Sequence, residues 1–188
     1  GPATGSTFTV SAADAGDLLI GGGAALNISG FNGDTGFNTI ENVEGGDGQD
    51  TVNVTATGSL TGGINTGAED DTISISSTVG GLVSTGTGDD EVTLNGADVT
   101  GGGVNTGADA DDVTIQNAVS GNVDGGSEDD TFTLAASASL NGAITGGTGS
   151  DLITGTDAAI FEINGLNSGL LIGTSTTFGG VDSLAGGG

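Results

Sequence analysis

The sequence predicts an all-β protein, a parallel β-solenoid of about 20 residues per coil with two short strands in each coil. Three observations lead to this fold class. A glycine-rich acidic loop ending in aspartate occurs six times, at spacings of 21, 19, 21, 19 and 21 residues. An aliphatic residue lies seven positions before each of these aspartates, and a large apolar residue lies two positions after it. A fixed period with a fixed internal phase indicates stacked coils.

Two strands are predicted for each coil. The residues after each loop alternate between apolar and polar side chains, as in Val52-Asn53-Val54 and Ile73-Ser74-Ile75. Alternation with a period of two is typical of a strand with one buried face. A second strand precedes the next loop, and the segments are 60–64, 79–83, 99–104, 119–123 and 140–144, with glycine near the middle. Helix is disfavoured, because Gly, Thr, Ser, Asn and Val dominate and no segment has a period of 3.6.

The composition excludes several classes of function. Among 188 residues there are 25 acidic ones and no Lys, Arg or His, which gives a formal net charge of -25. Affinity for phosphate backbones depends on Lys and Arg, so nucleic acid is excluded as a partner and an anionic membrane surface is disfavoured. No apolar run is long enough to cross a bilayer, so membrane insertion is not predicted. Only carboxylates could act as acids or bases, and stacked loops offer no evident cleft, so no enzyme is predicted.

The chain divides into regular and irregular parts. Residues 1–2, Gly1-Pro2, are typical of the remnant of a cleaved tag. We expect irregular N-terminal coils or a cap over 3–42, the regular solenoid over 43–155, and an irregular C-terminal coil with the start of a next module over 156–188. The irregular parts match each other: 37–46 returns as 178–187, and 8–10 with 14–16 returns as 161–163 with 167–169. This longer period predicts a larger parent protein built from such modules.

The acidic loops place most of the charge at one edge of the predicted solenoid, since 15 of the 25 acidic residues belong to them. Equivalent residues of adjacent coils stack about 4.8 Å apart. Two carboxylates at that separation repel by about 1 kcal/mol in water and about 3 to 4 kcal/mol at an effective dielectric of 20. Oxygen ligands without His or Cys select hard cations, and irregular high coordination favours Ca²⁺ over Mg²⁺. The alternative for the loop aspartates is turn formation without a metal.

These loops resemble the repeats-in-toxin (RTX) calcium-binding β-roll, whose nonapeptide is G-G-x-G-x-D-x-U-x, with U a large aliphatic residue. Residues 45–53 and 146–154 fit it in full, and 85–93 lacks only the first glycine. The other copies replace the second loop glycine with Glu69, Asp109 or Glu128. The resemblance implies that loop carbonyls and loop aspartates of neighbouring coils share each calcium ion. The implied metal ligands, which we call the anchor aspartates, are Asp50, Asp71, Asp90, Asp111, Asp130 and Asp151.

Each predicted coil carries one nonapeptide, whereas an RTX roll has two per coil, so we expect calcium along one edge only. This form is similar to calcium-bound solenoid regions of very large bacterial surface adhesins. The acids just before the anchors, Asp70, Asp89, Asp109 and Asp129, are either further ligands or a solvated rim.

The resemblance implies a structural function. The expected protein is a calcium-stabilised spacer of a large secreted or cell-surface bacterial protein, an adhesin or biofilm-matrix component, that folds on calcium after export. Its partners are then calcium ions and neighbouring modules of the parent chain. Two alternatives stay open: a module that binds ice or a glycan through its flat Thr/Ser face, and a fibre or surface-layer subunit that self-associates end to end through strand edges.

Overall fold

The computed structural model describes residues 7–12, 15–19, 36–38, 41–96, 98–156, 159–172 and 174–186. The predicted tag remnant lies outside these residues. Every regular element within them is a strand, so none of them belongs to a helix able to span a membrane. The strands are β1 (Thr7–Ala12), β2 (Ala15–Leu19), β3 (Gly36–Asn38), β4 (Val43–Gly46), β5 (Thr51–Val54), β6 (Ile64–Ala68), β7 (Thr72–Ile75), β8 (Thr78–Val79), β9 (Val83–Thr87), β10 (Glu91–Leu94), β11 (Asp98–Val99), β12 (Val104–Ala108), β13 (Asp112–Ile115), β14 (Ala118–Ser120), β15 (Val123–Ser127), β16 (Thr131–Leu134), β17 (Ser139–Asn141), β18 (Ala143–Thr148), β19 (Leu152–Thr154), β20 (Phe161–Gly165), β21 (Ser168–Leu171), β22 (Thr177–Gly179) and β23 (Ser183–Ala185).

The strands form three sheets that run along the stack of coils. Sheet 1 holds the strands that follow the acidic loops, together with β1, β2, β3 and β23, in the order β23-β19-β16-β13-β10-β7-β5-β1-β2-β3. Sheet 2 holds the strands that precede the loops, together with β20, β21 and β22, in the order β20-β21-β22-β18-β15-β12-β9-β6-β4. Sheet 3 is made of four very short strands, β17-β14-β11-β8, and the Leu60–Val79 bridge extends it by one coil. The prediction of an all-β parallel solenoid is confirmed.

Glycines divide the predicted second strand of each coil. Gly80 and Gly81 separate the short strand β8 from the longer β9. At Gly80 an added Cβ would lie 2.3 Å from the carbonyl oxygen of Thr61 in the preceding coil. No side chain fits in that gap, so the glycines allow adjacent coils to approach closely at this corner. A coil therefore has the two main strands that the sequence predicts and a third of two or three residues.

The regular strands pair in parallel with equivalent residues opposite each other, as Val52 with Ile73 and Ile73 with Val92. The side chains two positions after the anchors therefore form one continuous column inside the solenoid, and none is more than 1% exposed: Val52, Ile73, Val92, Val113, Phe132 and Ile153. Burying each such side chain contributes about 1.5 to 3 kcal/mol. The core is thin but unbroken along the stack, as in other repeat proteins.

An antiparallel hairpin unit lies at each end of the regular stack. The N-terminal unit is β1-β2-β3 and the C-terminal unit is β20-β21-β22. In the strand register Phe8 pairs with Leu18 in the first unit, and the equivalent Phe161 pairs with Leu171 in the second. The register shifts at the same place in both, between Val10 and Ala12 and between Ile163 and Gly165. The longer period in the sequence thus corresponds to one structural unit that occurs twice.

Candidate metal centre

The acidic loops connect sheet 2 to sheet 1 along one edge of the solenoid. Three residues, 69–71, join β6 to β7, and the equivalent residues join the other strand pairs. The glycine two positions before this turn has a left-handed backbone, with φ of 111° at Gly86, where an added Cβ would lie 2.2 Å from the carbonyl oxygen of Gly67. Glycine is therefore required there both by conformation and by the close approach of the preceding coil.

The anchor aspartates lie inside the solenoid rather than on its surface. Their exposed fractions are 1% for Asp50 and Asp71, 2% for Asp90, 1% for Asp111 and Asp130, and 0% for Asp151. The reason is the alternation of the strand that follows. Each anchor is two positions before a core residue, so its side chain points to the same side. The structure thus brings all six predicted residues into one buried column.

One carboxylate oxygen of each anchor from Asp71 to Asp151 is bonded to the preceding coil. The backbone N–H groups of Asp50, Asp71, Asp90, Asp111 and Asp130 donate to Oδ1 of the next anchor at 2.6, 2.7, 2.9, 3.0 and 3.0 Å. Asp151 donates in the same way to Oδ2 of Asp182 at 3.3 Å. We call this column of coil-to-coil bonds the anchor ladder. Hydrogen bonds from N–H groups to carboxylates are among the stronger ones in proteins.

The second carboxylate oxygen is buried without a hydrogen bond from the described residues at five anchors, namely Asp71, Asp90, Asp111, Asp130 and Asp151. Buried threonines lie beside three of them, five positions before the anchor. Their hydroxyl groups lie within hydrogen-bond distance of backbone carbonyls: Thr85 Oγ1 donates to the Thr106 carbonyl at 2.7 Å, and Thr106 Oγ1 donates to the Gly125 carbonyl at 2.9 Å. A buried acceptor of this kind is costly unless another group satisfies it.

Burial raises the pKa of the anchor carboxyls. It raises the pKa of Asp71 and Asp111 to about 6, and that of Asp130 to about 7. The pKa values of Asp90 and Asp151 are also raised, again chiefly by loss of solvation. Repulsion between anchors adds to the effect, while the ladder hydrogen bonds and, at Asp71, the neighbouring Thr66 hydroxyl oppose it. Near neutral pH, the ionised form of this column is unfavourable unless a cation balances it.

The acids just before the anchors form a second, exposed row. Asp70 Oδ1 accepts from the Asp89 N–H at 3.1 Å, Asp89 Oδ1 from the Ala110 N–H at 3.1 Å, and Asp129 Oδ1 from the Ser150 N–H at 2.8 Å. Asp109 Oδ2 accepts from the Gly88 N–H at 3.1 Å. These residues therefore do more than solvate the rim, because each one bonds two coils together.

Acidic residues also occupy the position of the second loop glycine in three coils. Glu69, Asp109 and Glu128 have left-handed backbones, with φ of 71°, 80° and 76°. Gly88 and Gly149, at the same loop position, have larger φ values of 119° and 141°. A left-handed backbone costs about 1 to 2 kcal/mol for a residue with a side chain. The stacked neighbours therefore impose the loop path even where the sequence departs from the glycine pattern.

The arrangement limits how an ion could be held. Within the described residues, no three acidic side chains form a group able to hold a metal. An ion between adjacent coils would have the free Oδ2 of an anchor and loop carbonyl oxygens as its ligands. Such an all-oxygen donor set, rich in carbonyls, suits Ca²⁺ better than Mg²⁺ or a transition metal.

Sequence reasoning missed two parts of this site. One is the row of buried threonines, Thr66, Thr85 and Thr106, each 0% exposed. The other is Asp182, which extends the ladder by one step after a shortened loop. The sequence did contain a signal for the threonines. Each lies two positions after an inward-facing aliphatic residue, and residues two apart in a strand point to the same face. No protein-family model, curated protein or solved structure matches this chain.

Proposed function

We propose that this chain is a calcium-stabilised structural spacer of a large secreted or cell-surface bacterial repeat protein, such as an adhesin or a biofilm-matrix component. The observation that carries the proposal is the anchor ladder, in which buried carboxylates repeat in successive coils and, in the five anchors from Asp71 to Asp151, keep one oxygen without a hydrogen bond from the described residues. The proposal assigns the module a mechanical role and no catalytic one.

The first supporting argument is electrostatic. The chain has no Lys, Arg or His, so no side chain can balance its 25 carboxylates. Counter-charge for the buried column therefore comes from solution. A divalent ion that contacts two coils turns the repulsion between them into attraction, and its binding free energy adds to the free energy of folding.

The second argument concerns the ligands. Oδ1 of Asp90 is used by the backbone N–H of Asp71, which leaves Oδ2 to face an ion. The residues that would hold calcium are the anchors, Asp50, Asp71, Asp90, Asp111, Asp130 and Asp151, with loop carbonyls. Sites with few carboxylates bind calcium at about 0.1 to 1 mM, the range typical of extracellular modules. Such sites are empty inside the cell and filled outside it.

The third argument concerns shape. In an in-register stack each coil contacts only its neighbours, so the length of the solenoid grows with the number of coils. The ladder, three sheets and a continuous core bind successive coils together. These features suit a stiff rod that holds other parts of a protein at a distance.

Circular dichroism tests the proposal. The purified chain in chelator at pH 7.5 is expected to give the spectrum of a largely unfolded chain, and added calcium is expected to restore the β-sheet signal. Magnesium at the same concentration is the control and should restore little. A complete β-sheet spectrum in chelator, unchanged in shape and in thermal midpoint by calcium, would overturn the proposal.

A further inference from the structure

The two hairpin units have one fold but bond to the regular stack through opposite strands. In the N-terminal unit the first strand, β1, pairs in parallel with β5 of sheet 1, with Phe8 opposite Val52. In the C-terminal unit the third strand, β22, pairs in parallel with β18 of sheet 2, with Phe178 opposite Ile144. The unit therefore has two edges that can bond to a regular stack, and each copy uses a different one.

The strand that follows each hairpin unit also pairs with a different sheet in each copy. Val43 in β4 and Leu184 in β23 are equivalent in the repeated sequence. β4 pairs with β6 of sheet 2, with Val43 opposite Ile64. β23 instead pairs with β19 of sheet 1, with Leu184 opposite Ile153. The strand after a hairpin unit thus pairs with sheet 1 of the stack before it, as β23 does, and with sheet 2 of the stack after it, as β4 does.

The unused edge of the C-terminal unit carries exposed apolar side chains. Among the described residues β20 is the last strand of sheet 2. Ile160, Ile163 and Leu166, in or beside β20, are 61%, 59% and 94% exposed. The N-terminal equivalent of Ile163 is Val10, which pairs with Val54, a residue 0% exposed. Apolar side chains next to an open strand edge are typical of a surface that another strand covers.

We infer that the hairpin unit is a coupling between two regular stacks, and that the open edge of β20 binds the first post-anchor strand of a second stack of this same sequence type. The register is that of β1 with β5, so Phe161 lies opposite Val52 of the second stack, and Glu162 lies opposite Asn53. At the same time β23 pairs with the strand equivalent to β6, which places Ala185 opposite Asn65 of the second stack.

This coupling exchanges the sheets. Sheet 2 of the first stack continues through β22, β21 and β20 into sheet 1 of the second, and sheet 1 continues through β23 into sheet 2. Strands of sheets 1 and 2 in one coil are joined by a three-residue turn, as from Ala68 to Thr72, so they run in opposite directions. A shared strand has a single direction. The second stack is therefore turned over about the long axis, and the acidic edges of successive stacks lie on opposite sides of the rod.

A tandem chain tests the inference. Residues 1–187 are followed directly by residues 47–188, because Gly186-Gly187 are equivalent to Gly45-Gly46. The natural chain has no cysteine, so introduced pairs are unique. One variant carries Glu162→Cys with Asn53→Cys in the second copy, and another carries Ala185→Cys with Asn65→Cys in the second copy. Each is treated with a short thiol cross-linker in calcium buffer and analysed by mass spectrometry.

Two further cysteine pairs serve as controls. Thr9→Cys with Asn53→Cys in the natural chain is the matched positive control, since these residues are already paired. Ser183→Cys with Thr51→Cys in the second copy reports the alternative, in which sheet 1 continues as sheet 1 without exchange. Cross-linking of both exchange pairs to the level of the positive control supports the inference. Cross-linking of the alternative pair, or of none in a chain whose β-sheet signal has doubled, would overturn it. The result does not depend on which ion the ladder binds.

Discussion

Replacing the central anchor Asp111 with asparagine separates the charge of the ladder from its hydrogen bonds. Asparagine has nearly the same shape, and its carbonyl oxygen can still accept the Asp90 N–H, which lies 2.9 Å from Asp111 Oδ1. Its amide group takes the place of the buried Oδ2, where the hydroxyl oxygen of Thr106 is an available acceptor. The variant therefore removes one buried charge and one ligand oxygen while it keeps the bond between coils.

The expected magnitude follows from the pKa of Asp111, which burial raises from 3.8 to about 6. That difference corresponds to about 3 kcal/mol. A folded-state pKa above the unfolded one means that stability is complete below about pH 4 and falls as pH rises through 6. In chelator at pH 8, where the chain with Asp111 is expected to be largely unfolded, Asp111→Asn should shift the folding equilibrium toward the folded state by up to about 3 kcal/mol.

Calcium should reverse this order. A site filled at 100 times its Kd contributes about 2.7 kcal/mol, and the variant loses at least one such contribution. Refolding by an osmolyte such as TMAO measures the effect in chelator, and urea denaturation measures it in calcium. Asp112→Asn is the matched control, because it removes the same charge from an exposed position of β13. If Asp111→Asn destabilised the chain by the same amount in chelator and in calcium, the anchors would be hydrogen-bond acceptors only.

Three further outcomes are expected. In chelator, the free energy of unfolding should fall between pH 5 and pH 8, since the anchor pKa values of about 6 to 7 lie above the unfolded value, and refolding titrations with TMAO at each pH measure it; a rise over this range would contradict the reasoning. Glu128→Gly relieves a φ of 76° and should raise stability by about 0.5 to 1 kcal/mol. Gly149→Ala, at the same loop position of the next coil, should lower it, because the added Cβ would lie 2.0 Å from the Glu128 carbonyl oxygen; equal Tm values for both variants would contradict this. Ile115→Ala should cost about 2 to 5 kcal/mol by thermal melting, with the outward Thr114→Ala as a near-neutral control.

The period of the sequence predicted the solenoid because its physical cause is local to each coil. A residue such as Ile73 must point inward in every coil if the coils stack in register, so the pattern of one coil repeats in the next. The division of the second strand was not predicted. Val79 and Val83 both point inward and read as one strand, and only the close contact between Gly80 and Thr61 breaks it.

The positions of the anchors along the chain could be predicted, but their burial was not. Charge placed the anchors at one edge of the solenoid without indicating their burial, whereas alternation places Asp90 on the same side as Val92 and Leu94. The alternation of side chains along the strand determines the burial of the anchors, because the backbone cannot turn one side chain outward without moving its neighbours. The target of Oδ1 could not be predicted, since it depends on the loop path and thus on the left-handed backbone at residues such as Glu69.

The anchor ladder has a direction. In every step a backbone N–H donates to the carboxylate of the coil that comes later in the chain, up to Asp182. A stack that grows at its C-terminal end therefore always presents an N–H donor to the incoming aspartate. A stack that grows at its N-terminal end would instead present a buried carboxylate oxygen and its charge. Assembly in the order in which the chain is made is the electrostatically favoured one, and each completed coil prepares the hydrogen bond that receives the next.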